Sequence, residues 1–241
     1  MIHHRGDSYR NIYTVSPSQS LYDDILDESE YEIAEIWEEK TSSIEYSVDK
    51  IHRPFQYGEK ENSLFVFDNI NPGITRFSDG NFGVWYGALE ELTSLIETYY
   101  WIFKEIQPDL KNATNKTIRK HRRMYSAELD HERAIDLRPY VETFSEIIHP
   151  HDYTESCKLG RWAVENQISL FLAPSVRCLS GTCTPVFEKK AILSDKYLYD
   201  YYVTYTYNSR TIKIEKKGIF ESFEIPEEWI NINLPKKSSE Q

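Results

Sequence analysis

The feature that most restricts the fold is a change of hydrophobic period along the chain. Between residues 89 and 106 apolar residues recur every three or four positions, which predicts an amphipathic helix; they are Leu89, Leu92, Ile96, Tyr99, Phe103 and Ile106. Pro108 is expected to end that helix. Near the C-terminus, segments 197–207 and 210–217 alternate in polarity around a short polar turn, which predicts a hairpin. Strand and helix patterns are interspersed, so the prediction is an α+β fold.

Shorter segments between these two patterns fit the same class. Strands are predicted at 44–52, 63–70, 124–130, 134–137 and 168–174, and a helix at 156–166. The stretch 71–83 is rich in Asn, Gly and Pro and is predicted to be a loop. The cationic stretch 119–125 can attract an anionic partner, but a solvated loop or helix end is the favoured interpretation.

The N-terminal region differs in composition from the rest of the chain. Residues 1–17 are polar and are expected to be loosely ordered. Ser20 and Asp23 have the spacing of a helix-capping box, and the acidic segment that follows to Lys40 predicts one or two helices. The predicted organisation is an acidic helical extension at 1–45, a main domain at 46–230 and a flexible tail at 231–241.

Charge and cysteine content restrict the class of protein. The formal net charge is −11, which argues against direct binding of nucleic acid. Three cysteines at irregular spacing indicate a reducing compartment and no metal site. Neither a signal peptide nor a membrane-spanning segment is visible in the sequence. We therefore expect a cytoplasmic protein that does not contact membranes, and a homo-oligomer is left open.

Three residues in the run 74–97 are candidates for a site. Arg76 lies in the glycine-rich loop, Tyr86 follows ten positions later and Glu97 eleven after that. Taken singly, a loop arginine, a strand tyrosine and a helix glutamate are usually surface or core residues. Glu97 lies at the edge of the apolar stripe of its helix, however, and can therefore face a cleft.

Taken together, the ordered blocks resemble those of the RES-domain family. The run ITRFSDGNFGVWYGALEELTSLIE holds Arg76, Tyr86 and Glu97, and ISLFLAPSVRCLSGTCTPVF resembles a later block that supplies Ser175. HRPFQY resembles the first arginine block and supplies Arg53. AIDLRPY and SCKLGRWA are similar to intermediate segments, so the resemblance covers about residues 50–190.

The resemblance implies a fold, an activity and a partner. The implied fold is similar to that of ADP-ribosyltransferases, with a mixed or antiparallel β core and surrounding helices. RES-domain proteins act as the toxin of a toxin–antitoxin pair, usually with an Xre-type antitoxin. Their reported activities are cleavage of NAD by water or phosphate, which depletes NAD, and ADP-ribosylation of a protein target. A non-catalytic interaction module that retains the fold is the alternative from another class.

The implied site residues have chemically suitable side chains. NAD is the substrate, and its nicotinamide leaves as a neutral molecule, so one carboxylate can suffice where a glycosidase usually needs two. Glu97 would stabilise the ribosyl cation, and Tyr86 would stack on nicotinamide. Arg53 and Arg76 would bind the diphosphate. Ser175 would contact the ribose or orient Glu97. These five residues are the predicted NAD-binding set, of which Arg76, Tyr86, Glu97 and Ser175 are also predicted to be catalytic.

Overall fold

The computed structural model describes residues 1–13, 64–69, 72–110, 117–206 and 209–230. The strands are β1 (Ile2–Tyr13), β2 (Gly73–Thr75), β3 (Ser78–Gly80), β4 (Trp85–Ala88), β5 (Thr117–Asp136), β6 (Leu170–Pro174), β7 (Thr182–Val186), β8 (Ile192–Thr206), β9 (Thr211–Lys216) and β10 (Ile219–Glu224). The α-helices are α1 (Glu91–Leu110), α2 (Thr154–Glu165) and α3 (Glu227–Ile230). Short 3-10 helices lie at Phe65–Phe67, Arg138–Tyr140, Ser145–Ile148 and Lys189–Ala191.

Eight of these strands form one sheet in the order β1-β4-β7-β6-β5-β8-β9-β10, with an additional pairing between β1 and β5. All pairings in this sheet are antiparallel except that of β5 with β6. The pairings β5–β1, β1–β4, β4–β7, β7–β6 and β6–β5 close a ring of five strands, in which Tyr9 opposite Ala88 joins β1 to β4. The α+β class predicted from the sequence is confirmed.

Helix α1 packs across the part of the sheet that contains β8 and β9. Its buried hydrophobic side chains within the described residues are Tyr99, Tyr100, Ile102 and Phe103. They meet the alternating tyrosines of β8, of which Tyr199, Tyr201 and Tyr205 are buried in the same cluster. Burying aromatic side chains of this size is the main source of stability for such a layer. The predicted β8–β9 hairpin is confirmed. Most of the tyrosines on β8 pack in the hydrophobic core.

Several sequence predictions are confirmed and others are wrong. The helix at 156–166 and the strand at 168–174 correspond to α2 and β6. The described part of the segment 63–70, residues 64–69, forms a 3-10 turn at Phe65–Phe67 rather than a strand, and the loop 71–83 contains β2 and β3. Pro108 does not end α1, which continues to Leu110. The predicted helices before residue 40, Arg53 and the tail at 231–241 lie outside the described residues.

Two polar segments were wrongly expected to lie outside regular structure. Residues 2–13 form β1, because their polar side chains find partners on β5, as in the ion pair of Arg5 with Glu128. The cationic stretch 119–125 lies within β5. There Arg123 pairs with Asp200 at 2.8 Å, so neighbouring strands compensate the charge. None of the helices in the described parts of the chain has the length and apolar character needed to cross a membrane.

Candidate active site

The first component of the site is the tight turn between β2 and β3 that carries Arg76. Thr75 pairs with Ser78 across this turn. The hydroxyl of Tyr86 accepts a hydrogen bond of 2.9 Å from the backbone N–H of Phe77 and shares one of 2.8 Å with Oγ1 of Thr75. Burial raises the pKa of this phenol, which therefore stays protonated. Tyr86 thus fixes the residues on both sides of Arg76.

Helix α2 supports the same turn from outside. The thiol of Cys157 lies 3.2 Å from the carbonyl oxygen of Thr75 and 3.3 Å from that of Ser78. A Cβ atom at Gly160 would lie 1.9 Å from the carbonyl oxygen of Phe77, so only glycine permits this approach of helix and turn. The backbone of the Arg76 turn is therefore held by Tyr86 on one side and by α2 on the other.

The second component joins α1 to the loop that follows β6. Oγ of Ser175 donates a hydrogen bond of 2.6 Å to Oε1 of Glu97. The same oxygen of Ser175 accepts hydrogen bonds from the backbone N–H groups of Arg177 at 3.1 Å and Cys178 at 2.9 Å. The donor and both acceptor positions of the hydroxyl are thus used. Ser175 therefore holds the half-buried carboxylate of Glu97 in one orientation.

The loop 175–181 is itself attached to the first turn of α1. Oε2 of Glu90 accepts hydrogen bonds from the backbone N–H of Thr182 at 2.9 Å and from Oγ1 of Thr93 at 2.7 Å. A Cβ atom at Gly181 would lie 2.4 Å from Oγ1 of Thr93, so loop and helix are in close contact. This attachment fixes the distance between Ser175 and the helix that carries Glu97.

Cys183 lies beside the second component of the site. Its thiol lies 3.7 Å from Oε1 of Glu97, on strand β7 between β4 and β6. Burial raises the pKa of Cys183 well above its usual range, the negative charge of Glu97 raises it further, and the positive charge of Arg76 opposes the rise. The charges of Glu97 and Arg76 therefore act on the same buried group.

The side chain of Arg76 extends towards the segment that precedes α2. Its Nη1 donates a hydrogen bond of 2.8 Å to the carbonyl oxygen of His149, and its guanidinium carbon lies 4.6 Å from the centre of the Tyr153 ring. Burial raises the pKa of Tyr153, whereas the charges of Arg76 and Arg177 lower it. A second arginine therefore lies at this end of the site.

That second arginine, Arg177, was not identified from the sequence. Its Nη2 donates a hydrogen bond of 2.8 Å to the carbonyl oxygen of Pro150, and its guanidinium carbon lies 3.9 Å from the centre of the Tyr100 ring. The only signal in the sequence is its place two residues after Ser175. Its partner Tyr100 is distant in sequence, and spacing alone does not reveal such a contact.

Four of the five predicted residues are thus linked to one another by hydrogen bonds or through a shared neighbour. Glu97 and Ser175 are hydrogen-bonded, Arg76 acts electrostatically on the same cysteine as Glu97, and Tyr86 lies beneath the turn that carries Arg76. The arrangement offers one carboxylate and two guanidinium groups, which suits a ligand with an anionic part and a developing positive charge.

Comparison with known proteins gives a family. No curated protein matches the chain. Among solved structures, the crystal structure of the M. tuberculosis MbcT–MbcA toxin–antitoxin complex contains a similar chain at 11% sequence identity and a TM-score of 0.47, over 82% of this chain and 86% of that chain. The RES domain family model matches residues 47–208. Because that match covers more than half of the sequence, this chain belongs to the RES-domain family.

Proposed function

We propose that this RES-domain protein is the toxin of a toxin–antitoxin pair and that it depletes NAD by cleaving the bond between nicotinamide and ribose. The observation that carries the proposal is the hydrogen bond of 2.6 Å by which Ser175 orients Glu97. It provides a fixed carboxylate beside the buried thiol of Cys183, on which the charge of Arg76 also acts. A fixed negative charge is what a reaction with a cationic transition state requires.

The reaction needs no acid for the leaving group. When the bond from C1′ of ribose to the pyridinium nitrogen breaks, both electrons pass to the nitrogen, and nicotinamide leaves as a neutral molecule. The positive charge then lies on C1′ and the ring oxygen of the ribose. Glu97 would stabilise that charge directly or through a ribose hydroxyl. An acceptor O–H then bonds to C1′ and releases its proton.

Ser175 acts in this scheme as a positioning residue. Its hydroxyl already donates to Glu97 and accepts from two backbone N–H groups. A nucleophile needs a free lone pair directed at the substrate, and this arrangement leaves none. Of the two roles that the sequence left open for Ser175, we therefore favour the orientation of Glu97 over contact with the ribose.

The remaining predicted residues would bind the dinucleotide. Arg76 would contact the diphosphate with its forked N–H donors. The ring of Tyr86 would contact nicotinamide while its hydroxyl keeps the Arg76 turn in place. Arg53 lies outside the described residues, and its part in binding the diphosphate stays a prediction.

An antitoxin of the Xre type is the proposed protein partner. Leu179, at the tip of the loop that carries Ser175, is 97% exposed, and Leu92 on the adjoining turn of α1 is 61% exposed. Thr93, next to Leu92, contacts that loop at Gly181 and Cys178. An antitoxin that covered these leucines would also cover the loop that orients Glu97.

The proposal is tested by incubating the purified protein with NAD and following nicotinamide release, with and without phosphate. The Glu97→Ala variant should lose at least about a hundredfold in rate, the scale of one transition-state contact. Glu155→Ala is the matched control, since Glu155 lies on α2 in an exposed ion pair with Lys158. Nicotinamide release that does not depend on Glu97 would refute the assignment of the site, and no release at all would favour a non-catalytic module.

Mass spectrometry of the products identifies the acceptor. ADP-ribose indicates water, its 1″-phosphate indicates inorganic phosphate, and a mass increase on an added protein indicates transfer to a protein target. A separate experiment measures NAD in growing cells. Induced expression of the wild type should lower cellular NAD, whereas expression of Glu97→Ala should not. Growth arrest with unchanged NAD would contradict the depletion mechanism.

A further inference from the structure

Two arginines from different parts of the chain bind consecutive backbone carbonyl groups. Arg76, on the β2–β3 turn, donates to the carbonyl oxygen of His149, and Arg177, on the loop after β6, donates to that of Pro150, each at 2.8 Å. Segment 149–150 thus holds the two guanidinium groups at one end of the site. The two arginines are 101 positions apart in the sequence, so the tertiary structure brings them together.

The surroundings of these two arginines differ from those of Arg123 and Arg138. Arg123 and Arg138 form ion pairs with Asp200 and Asp136. Within the described residues, Arg76 and Arg177 form no ion pair. Each guanidinium instead lies on a tyrosine ring, that of Tyr153 or Tyr100, which attracts a cation but does not neutralise it.

One donor of Arg177 is not used by the described part of the protein. Its Nε is buried and has no hydrogen-bond partner among the described residues. A buried donor without a partner costs free energy, and the cost is larger for a charged group. In a chain with a net charge of −11, these two positive groups lie at one place without a carboxylate partner among the described residues, which indicates that an external anion completes them.

The effect of the pair on nearby groups supports the same interpretation. The pKa of His151 is lowered by burial and then by the charges of Arg177, Lys104, His149 and Arg76. Both arginines also lower the pKa of Tyr153. Both arginines therefore disfavour additional positive charge beside them, although the protein as a whole carries a net charge of −11.

We propose that Arg76 and Arg177 together bind a phosphate group, and that Arg177 is a substrate-binding residue of this protein. The guanidinium fork matches phosphate oxygens, and stacking on tyrosine keeps the fork oriented before the ligand arrives. The phosphate belongs either to the diphosphate of the dinucleotide or to free inorganic phosphate. The dinucleotide source rests on the proposed function, whereas binding of a phosphate group does not.

The test measures binding separately from cleavage. Titration calorimetry with ADP-ribose, and separately with inorganic phosphate, is carried out on the full chain and on Arg177→Gln, which removes the charge but retains much of the side-chain length. We expect Arg177→Gln to bind ADP-ribose at least about tenfold more weakly, the loss that follows from one charge-assisted hydrogen bond. Arg177→Lys, which keeps the charge without the fork, should recover part of that loss.

Arg133→Gln is the matched control. Arg133 also donates to two backbone carbonyls, those of Asn166 and Gln167, but forms no part of the site. Its substitution should leave ADP-ribose binding unchanged. Thermal unfolding of all variants shows whether they are folded.

Each outcome has a defined meaning. If Arg177→Gln loses affinity for ADP-ribose alone, the two arginines bind the diphosphate. If it loses affinity for inorganic phosphate, they bind the free anion. Equal binding by the wild type and folded Arg177→Gln, or no binding of either ligand by the wild type, overturns the proposal. Binding of ADP-ribose that depends on Arg177 without any nicotinamide release would support this proposal and refute the cleavage reaction.

Discussion

The hydroxyl of Ser175 donates a hydrogen bond of 2.6 Å to Oε1 of Glu97, which joins the loop after β6 to helix α1. Through this bond the position of the carboxylate depends on the loop 175–181. Glu90 and Thr93 attach the other end of that loop to the first turn of α1. The loop is therefore joined to α1 at both of its ends.

Replacing Ser175 by alanine should lower kcat for nicotinamide release with little change in KM. The carboxylate of Glu97 remains but loses the group that orients it, so we expect a loss of about tenfold, smaller than that for Glu97→Ala. Ser169→Ala is the control, because Ser169 makes an equivalent bond of 2.7 Å to Glu188 outside the site. Steady-state kinetics of both variants measure kcat and KM for nicotinamide release. A kcat for Ser175→Ala equal to that of the control would exclude the positioning role.

Replacing Tyr86 by phenylalanine should destabilise the protein and weaken ADP-ribose binding while retaining the ring. The backbone N–H of Phe77 and the hydroxyl of Thr75 lose their partner, which costs about 1–3 kcal/mol in the free energy of unfolding. Tyr201→Phe provides a comparison, since its buried hydroxyl binds Asn11 of β1 and not the Arg76 turn. Urea denaturation and calorimetry should show lost stability for both variants and lost binding for Tyr86→Phe alone. Intact ADP-ribose affinity in Tyr86→Phe would show that the turn does not need this hydroxyl.

Replacing Gly160 by alanine should push α2 away from the Arg76 turn. The added Cβ atom would lie 1.9 Å from the carbonyl oxygen of Phe77, and overpacking of this kind costs about 1–3 kcal/mol. At Gly6 on β1 the nearest atoms lie 3.7 Å away and belong to the His4 side chain, so Gly6→Ala should be tolerated. Thermal unfolding compares the two variants, and an unchanged melting temperature for Gly160→Ala would contradict the close contact.

Binding of ADP-ribose should raise the pKa of His151. In the free protein, burial and the charges of Arg177, Lys104, His149 and Arg76 lower this pKa. An anionic ligand near those arginines favours the imidazolium form, so the pKa rises on binding. By linkage, ADP-ribose affinity should increase as the pH falls through the pKa of His151.

Histidine titration by NMR measures that shift. His121 serves as the internal reference, because its pKa is also lowered by burial but its charged neighbours are Asp200, Arg123 and Arg119. Its pKa should not change with ligand. A His151 pKa that is the same with and without ADP-ribose would place the phosphates elsewhere.

Local patterns were sufficient to predict the elements that carry Glu97 and Ser175. The period of three and four residues identified α1, and the apolar run that ends at Pro174 identified β6. Their bond could not be predicted, because it depends on how the loop 175–181 lies against α1. The contact of Arg177 with Tyr100 was missed for the same reason.

The polar strands were missed for a different physical reason. Hydrophobic period indicates a strand only when one face is apolar, but β1 and the first half of β5 carry many charged side chains. These charges are compensated across strands, as Arg119 is by Glu215 and by the ring of Tyr202. Such compensation comes from tertiary structure, and a single sequence does not show it.

The pairing of β1 with β5 has a practical consequence for fragments of this protein. The family match spans residues 47–208, yet β1 precedes it, and Asn11 of β1 binds both Ser94 and Tyr201. Expression of the matched region alone would remove the strand that closes the ring and leave one long edge of β5 open to pairing between molecules. We expect such a trimmed fragment to aggregate, so the minimal working unit extends well past the boundaries of the family.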